Sequence, residues 1–176
     1  MMKYAFTYGL LSGLVIIATM LTGITLSGQE SFFSSEWFGY LVMLVALTFI
    51  FVGVKRYRDV EHGGVIKFGP ALVMGLSIAA VAGLAYVVVW EAYLAATGYR
   101  FMDEYVVGIL RAQEAAGASA AAIAKEVAGM EWMRAQYKNP LFRIPMTFLE
   151  IFPVGLLVAL VSAALLRNPK LLPAAR

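Results

Sequence analysis

Four separate stretches of this chain are long and apolar enough to cross a bilayer, and that constrains its fold more than any other feature. They run from about Ala5 to Leu26, Trp37 to Val54, Phe68 to Trp90 and Ile144 to Leu166. A helix rises about 1.5 Å per residue, so about 20 residues cross a hydrocarbon core about 30 Å thick. None of the first three stretches carries a charge in its interior. The chain is therefore expected to be all-α, with four transmembrane helices in a bundle.

Composition agrees. Hydrophobic residues make up 61% of the chain and charged residues 14%, against about 45–50% and about 25% in soluble domains. At 176 residues there is room for one membrane domain, 1–176, and little besides. The absence of cysteine excludes disulfides, thiolate metal sites and a cysteine nucleophile. The first stretch follows Lys3 as a secretory signal would. It is longer than a signal core, and Leu26 occupies the cleavage region where a small residue is needed, so it reads as a span.

Basic residues accumulate in loops that stay in the cytoplasm. The link between spans two and three holds Lys55, Arg56, Arg58 and Lys67. The N-terminus adds Lys3, and the tail adds Arg167, Lys170 and Arg176. Only Asp59 and Glu61 oppose them, whereas the loop after span one carries Glu30 and Glu36 and no basic residue. This asymmetry predicts both termini in the cytoplasm. The net charge of +3 is thereby explained by topology, and nucleic acid is not an expected partner.

The long link from about Glu91 to Arg143 then lies outside, and its acidic and basic residues balance. Phe101, Met102, Tyr105, Ile109 and Ala112 recur at the period of an amphipathic helix. Gly117 suits a helix stop and Ser119 a helix start. A second helix from about Ala120 to Tyr137 places Ile123, Val127, Met130 and Met133 or Tyr137 on one side. Asn139-Pro140 ends it. The expectation is an extracytoplasmic amphipathic helical hairpin over about 99–138. Its apolar faces would pack on each other and on the span ends; a helix lying in the lipid interface and a partner-binding surface are the competing readings.

Glu150 is the leading candidate functional residue. It lies about six residues into the last span, about 9 Å along the axis, where an ionisable group is costly unless paired, protonated or hydrated. Thr147, Pro145 and Pro153 flank it, and each proline removes a backbone donor. The structural alternative is a surface carboxylate paired with Arg143 or an arginine of the hairpin. On the opposite side, Arg56, Arg58 and Lys67 suit anionic lipid headgroups, with Asp59 beside them. His62, the sole histidine, reads as a turn residue next to Gly63-Gly64. Met20, Met43 and Met74 read as packing, not as a copper site. Gly9 and Gly13 form a close-packing pair, and Gly69, Gly75, Ala79 and Gly83 add small residues to span three. Such pairs serve contacts within a monomer as readily as between monomers.

No nucleophile elbow, phosphate loop, zinc-helix motif or dinucleotide fingerprint is present. No catalytic residue, cofactor or metal is expected. Two segments then carry a likeness. VKRYRDVEHGGVIKFGPALVMGL and YKNPLFRIPMTFLEIFPVGLLVALVSAALLR resemble a bacterial membrane family labelled a domain of unknown function (number 4199). The resemblance runs from the MMKYAFTYGL start to Arg167. It implies a bacterial four-span protein with an outer helical pair, and no activity. It places Glu150 and Thr147 in one motif and Arg58, Asp59, Gly63 and Gly64 in the other.

The expected protein is a multi-pass bacterial inner-membrane protein with a non-enzymatic accessory or partner-binding role. The alternative is a small transporter or channel component using Glu150 for a proton or cation. Candidate functional residues are Glu150, Thr147, Arg58, Asp59 and Lys67. Expected partners are membrane lipid and either a homo-oligomer or another membrane protein.

Overall fold

The computed structural model describes residues 1–26 and 36–174. Its elements are six α-helices: α1 (Met2–Leu26), α2 (Glu36–Glu61), α3 (Phe68–Ala96), α4 (Phe101–Ala115), α5 (Ala120–Tyr137) and α6 (Pro140–Leu166). Four of them, α1, α2, α3 and α6, are long and apolar enough to cross a membrane. The acidic first loop with Glu30, and the terminal Arg176, lie outside the described residues.

The helices outrun the apolar stretches. α2 continues from Val54 to Glu61 through the charged KRYRDVE segment, because Lys55 reaches Asp59 one turn on. The helix ends where Gly63 takes φ +58° and lets the Gly64 amide return to the Arg58 carbonyl at 3.1 Å. That left-handed stop is why two glycines stand here. His62 is exposed beside it, edge-on to Tyr57 at 4.8 Å, as a turn residue should be.

Two compact units divide the chain, with their boundaries inside α3 and α6. The first comprises Met1–Val88 and Phe148–Arg176. Within it α3 is the central helix, and small residues let its neighbours approach. A Cβ on Gly9 or Gly13 of α1 would stand 2.9 Å from the Ile78 carbonyl or 2.8 Å from the Ala82 carbonyl. On α6, a Cβ at Gly155 would meet Ala79 at 2.9 Å, and one at Gly75 of α3 would meet Ala159 at 2.8 Å. The GxxxG pair is thus consumed inside the monomer. Gly69 has open space around it and takes no part.

Lipid tails are as apolar as leucine, so close van der Waals contact and interhelical hydrogen bonds hold such helices together. Ile50, Leu47, Met74, Ile78 and Ile151 are fully buried. The buried Ser12 hydroxyl of α1 donates to the Ala46 carbonyl of α2 at 3.1 Å. Tyr86 of α3 donates to the Met20 sulfur of α1 at 2.9 Å. At the start of α1, Lys3 and Tyr4 both reach Glu61 at the end of α2, each at 2.9 Å.

The second unit, Val89–Thr147, holds α4 and α5, which pack on one another. Gly117 turns the chain between them at φ +74°, and the Ser119 hydroxyl caps α5 by accepting from the Ala122 amide. Arg134 of α5 pairs with Asp103 of α4, and that hydrogen bond raises the guanidinium above its ordinary value. On α5 the expected stripe holds: Ile123, Val127, Met130, Met133 and Tyr137 are half-buried on a helix with exposed flanks. On α4 the expected face holds in part, with Phe101, Met102 and Ile109 half-buried. Val106 is the buried residue, while Tyr105 and Ala112 are exposed. Asp103 is half-buried where it meets Arg134 of α5, and Gln113 is half-buried with its amide oxygen unpartnered among the described residues.

Candidate functional site

α6 carries Glu150 on an unbroken helix despite Pro145 and Pro153. Its small residues Gly155, Ala159 and Ala163 are buried against the bundle. Glu150 falls on the other side. It is exposed, and it makes no hydrogen bond or ion pair among the described residues. One and two turns further on, the same side shows Pro153 and Leu157, and then Val161. Leu157 is 62% exposed and Val161 57%. The carboxylate therefore stands at the head of an apolar stripe on the outer surface of the helix.

The YRD motif is built differently from the lipid site expected of it. Arg58 is wholly buried, and its guanidinium is fully engaged. It donates to Asp59 at 2.7 Å, to the Leu171 carbonyl at 3.0 Å and to the Leu172 carbonyl at 2.5 Å. Asp59 also accepts from Lys55. The tail after α6 is thus clasped to the end of α2, and Ala174 comes to lie against Gly64. Lys67 and Arg56 are exposed and unpaired among the described residues. Arg58 is thus buried where Lys67 is exposed, and the tail carbonyls occupy the donors a headgroup would need.

With both motifs placed, their family can be stated. A family model described as Protein of unknown function (DUF4199) matches residues 3–168 of the 176. The chain belongs to the DUF4199 family. No curated protein and no solved structure matches it.

The strongest polar assembly in this DUF4199 protein is one that sequence reasoning did not single out. In the second unit Arg143, at the start of α6, grips Glu91 of α3 with two parallel bonds of 2.6 and 2.7 Å. The same guanidinium donates to the Tyr137 carbonyl at 2.8 Å and so satisfies the end of α5. It also lies over the Tyr99 ring at 5.0 Å. Tyr99 adopts φ +57° after Gly98, which turns its ring beneath the arginine. Around the pair, Trp90 donates to the Tyr137 hydroxyl at 2.9 Å and meets Phe101 edge-on. Both charges stand in the sequence at the ends of apolar spans, which was the available signal. Choosing this pair among six acids and six bases needed the fold.

Arg143 is therefore committed to Glu91. Thr147, one turn beyond Arg143, is 2% exposed, and its hydroxyl has no hydrogen-bond partner among the described residues. Of the five candidate residues in DUF4199, Arg58 and Asp59 share one cluster. Glu150 and Lys67 make no hydrogen bond or ion pair with it among the described residues, and Thr147 belongs to the second unit.

Proposed function

We propose that this DUF4199 protein is a non-enzymatic accessory protein of a bacterial inner membrane, with both termini in the cytoplasm and α4–α5 outside. It acts through a contact made in the plane of the membrane on the outward side of α6. The observation that carries this reading is Glu150, a carboxylate exposed on a spanning helix and without a partner among the described residues. An unpaired carboxylate facing lipid is destabilising, by about 2.5–3.5 kcal/mol at mid-membrane on insertion scales and by less toward the interface. A group that occupies that position in the native membrane removes the cost. The charge asymmetry of the loops supports the orientation.

Transport through Glu150 is the second reading, supported by the same carboxylate. It is less well supported, since the buried centre of the first unit is formed by Ile50, Met74, Ile78 and Ile151. Its buried Ser12 and Ser162 hydroxyls are spent on backbone carbonyls.

A photo-reactive side chain at Leu157, compared with one at the equally exposed Leu84 of α3, tests the contact. Leu84 is 58% exposed. Irradiation in native membranes is expected to give a discrete adduct from position 157 and a heterogeneous lipid smear from position 84. Equal smears from both would show that the α6 side meets only bulk lipid.

A further inference from the structure

An apolar groove of about 430 Å³ runs between α2 and α6, with Leu44 and Val52 on one wall and Leu157 and Val161 on the other. Thr48 and Ser162 also line it, but their hydroxyls donate to the Val45 and Val158 carbonyls of their own helices. The groove therefore offers apolar surface, aliphatic side chains and the Phe51 ring. Glu150 lies above it on the same side of α6, since residues seven and eleven positions on return within about 20° of the same direction.

The spacing matches one leaflet. From Glu150 to Leu157 is about 10 Å along the axis and to Val161 about 16 Å, while half of a hydrocarbon core is about 15 Å. From Glu150 to the end of α6 at Leu166 is about 24 Å of a core about 30 Å thick. The carboxylate is thus within a side-chain length of the surface opposite Arg167. An anionic group at headgroup level, with a dry groove running from it toward the midplane, has the layout of a lipid with a cationic head.

The chemistry narrows the occupant. Among the described residues Glu150 pairs with no cation, and Arg143 is held by Glu91. A primary ammonium supplies both charge and N–H donors to a carboxylate. A second transmembrane helix suits the surface less well, because close helix association relies on small residues. Those of α6, Gly155, Ala159 and Ala163, face inward. The outward side is mostly bulky, with Pro153, Leu157, Val161 and Leu165 around the single small residue Ala164. A second copy meeting across this side would bring carboxylates together instead of complementary charges.

We infer that the α2–α6 side of this protein binds a phospholipid with a primary-amine headgroup, its ammonium on the Glu150 carboxylate and one acyl chain in the groove beneath. This rests on the in-plane contact proposed above and names its occupant.

The test is native mass spectrometry of the full chain released from nanodiscs of phosphatidylethanolamine and phosphatidylglycerol. The comparison is nanodiscs in which the trimethylated choline lipid replaces phosphatidylethanolamine. The wild type is expected to retain one phosphatidylethanolamine and not the choline lipid. Glu150→Gln is expected to weaken retention about tenfold, as loss of a charge-assisted hydrogen bond does. Leu157→Trp, at an exposed position, fills the groove and is expected to abolish retention with an unchanged thermal melt. Equal retention of both lipids, or full retention by Glu150→Gln, overturns the assignment. If Glu150→Gln instead changes the oligomeric state or a protein adduct at position 157, the lipid assignment fails while the in-plane contact stands. If neither lipid, oligomer nor adduct responds, both fail.

Discussion

Arg143 and Glu91, 52 residues apart, form a two-pronged ion pair in which the arginine side chain is 3% exposed and the glutamate 23%. It is the main polar tie of the second unit. The guanidinium holds the end of α3, the end of α5 and the start of α6 through one planar group. Lysine has neither the fork nor the stacking plane to do this.

Removing either partner is expected to destabilise the protein by about 3–5 kcal/mol, because the survivor is left as an uncompensated, largely buried charge. Arg143→Lys should recover less than half of the loss from Arg143→Ala. The paired replacement Glu91→Gln with Arg143→Met should lose less than either single change. Unfolding in detergent, arranged as a double-mutant cycle, checks this. Strict additivity would show that the two side chains do not interact.

Arg58→Ala is expected to release the tail from the end of α2. Three of the four groups it holds are backbone carbonyls of the tail and α6 terminus, Leu166, Leu171 and Leu172. Proteolysis after Arg167 or Lys170 should accelerate strongly, while cleavage elsewhere in the first unit changes little. An unchanged tail-cleavage rate would show that another contact holds the segment. Arg58→Lys should behave like the alanine variant, since one ammonium cannot reach carbonyls on both sides.

Gly13→Leu is expected to cost roughly 1–3 kcal/mol or more by overpacking the α1–α3 contact. A Cβ there already meets the Ala82 carbonyl at 2.8 Å and the Ala85 methyl at 2.9 Å. Gly129→Ala in α5, where the added methyl meets nothing within 4 Å, should instead stabilise by about 0.5–1 kcal/mol. The two melts together separate a required glycine from a tolerated one. Loss of oligomer without loss of monomer stability in Gly13→Leu would contradict the packing found here.

Thr147→Val keeps the shape and removes a buried hydroxyl that has no partner among the described residues. The expected result is a gain of about 1 kcal/mol, the cost of leaving such a group unsatisfied. A loss of stability would reveal that the hydroxyl is bonded in the membrane, to water or to a ligand, and would return Thr147 to the list of functional residues.

The sequence by itself determined the membrane spans, the two helices between spans three and four, the glycine stop after Glu61 and the Ser119 cap. These follow from local rules. Apolar length sets a span, a repeat of three and four sets a helix face, and a left-handed φ selects glycine. The stripe on α5 was legible for the same reason, as was membership of DUF4199. The shift of part of the α4 face to Val106 was not, because Asp103 turns to Arg134, 31 residues further along the chain.

Only the tertiary structure decided which charges meet. Arg58 read as a lipid-facing cation until the tail folded back on it, and Arg143 read as the neighbour of Glu150 until Glu91 claimed it. It also decided that Gly9 and Gly13 pack on α3 within one molecule, and that Glu150 faces outward above an apolar groove. Charge pairing and helix rotation depend on distances between segments dozens of residues apart. Spacing within one segment carries no record of them.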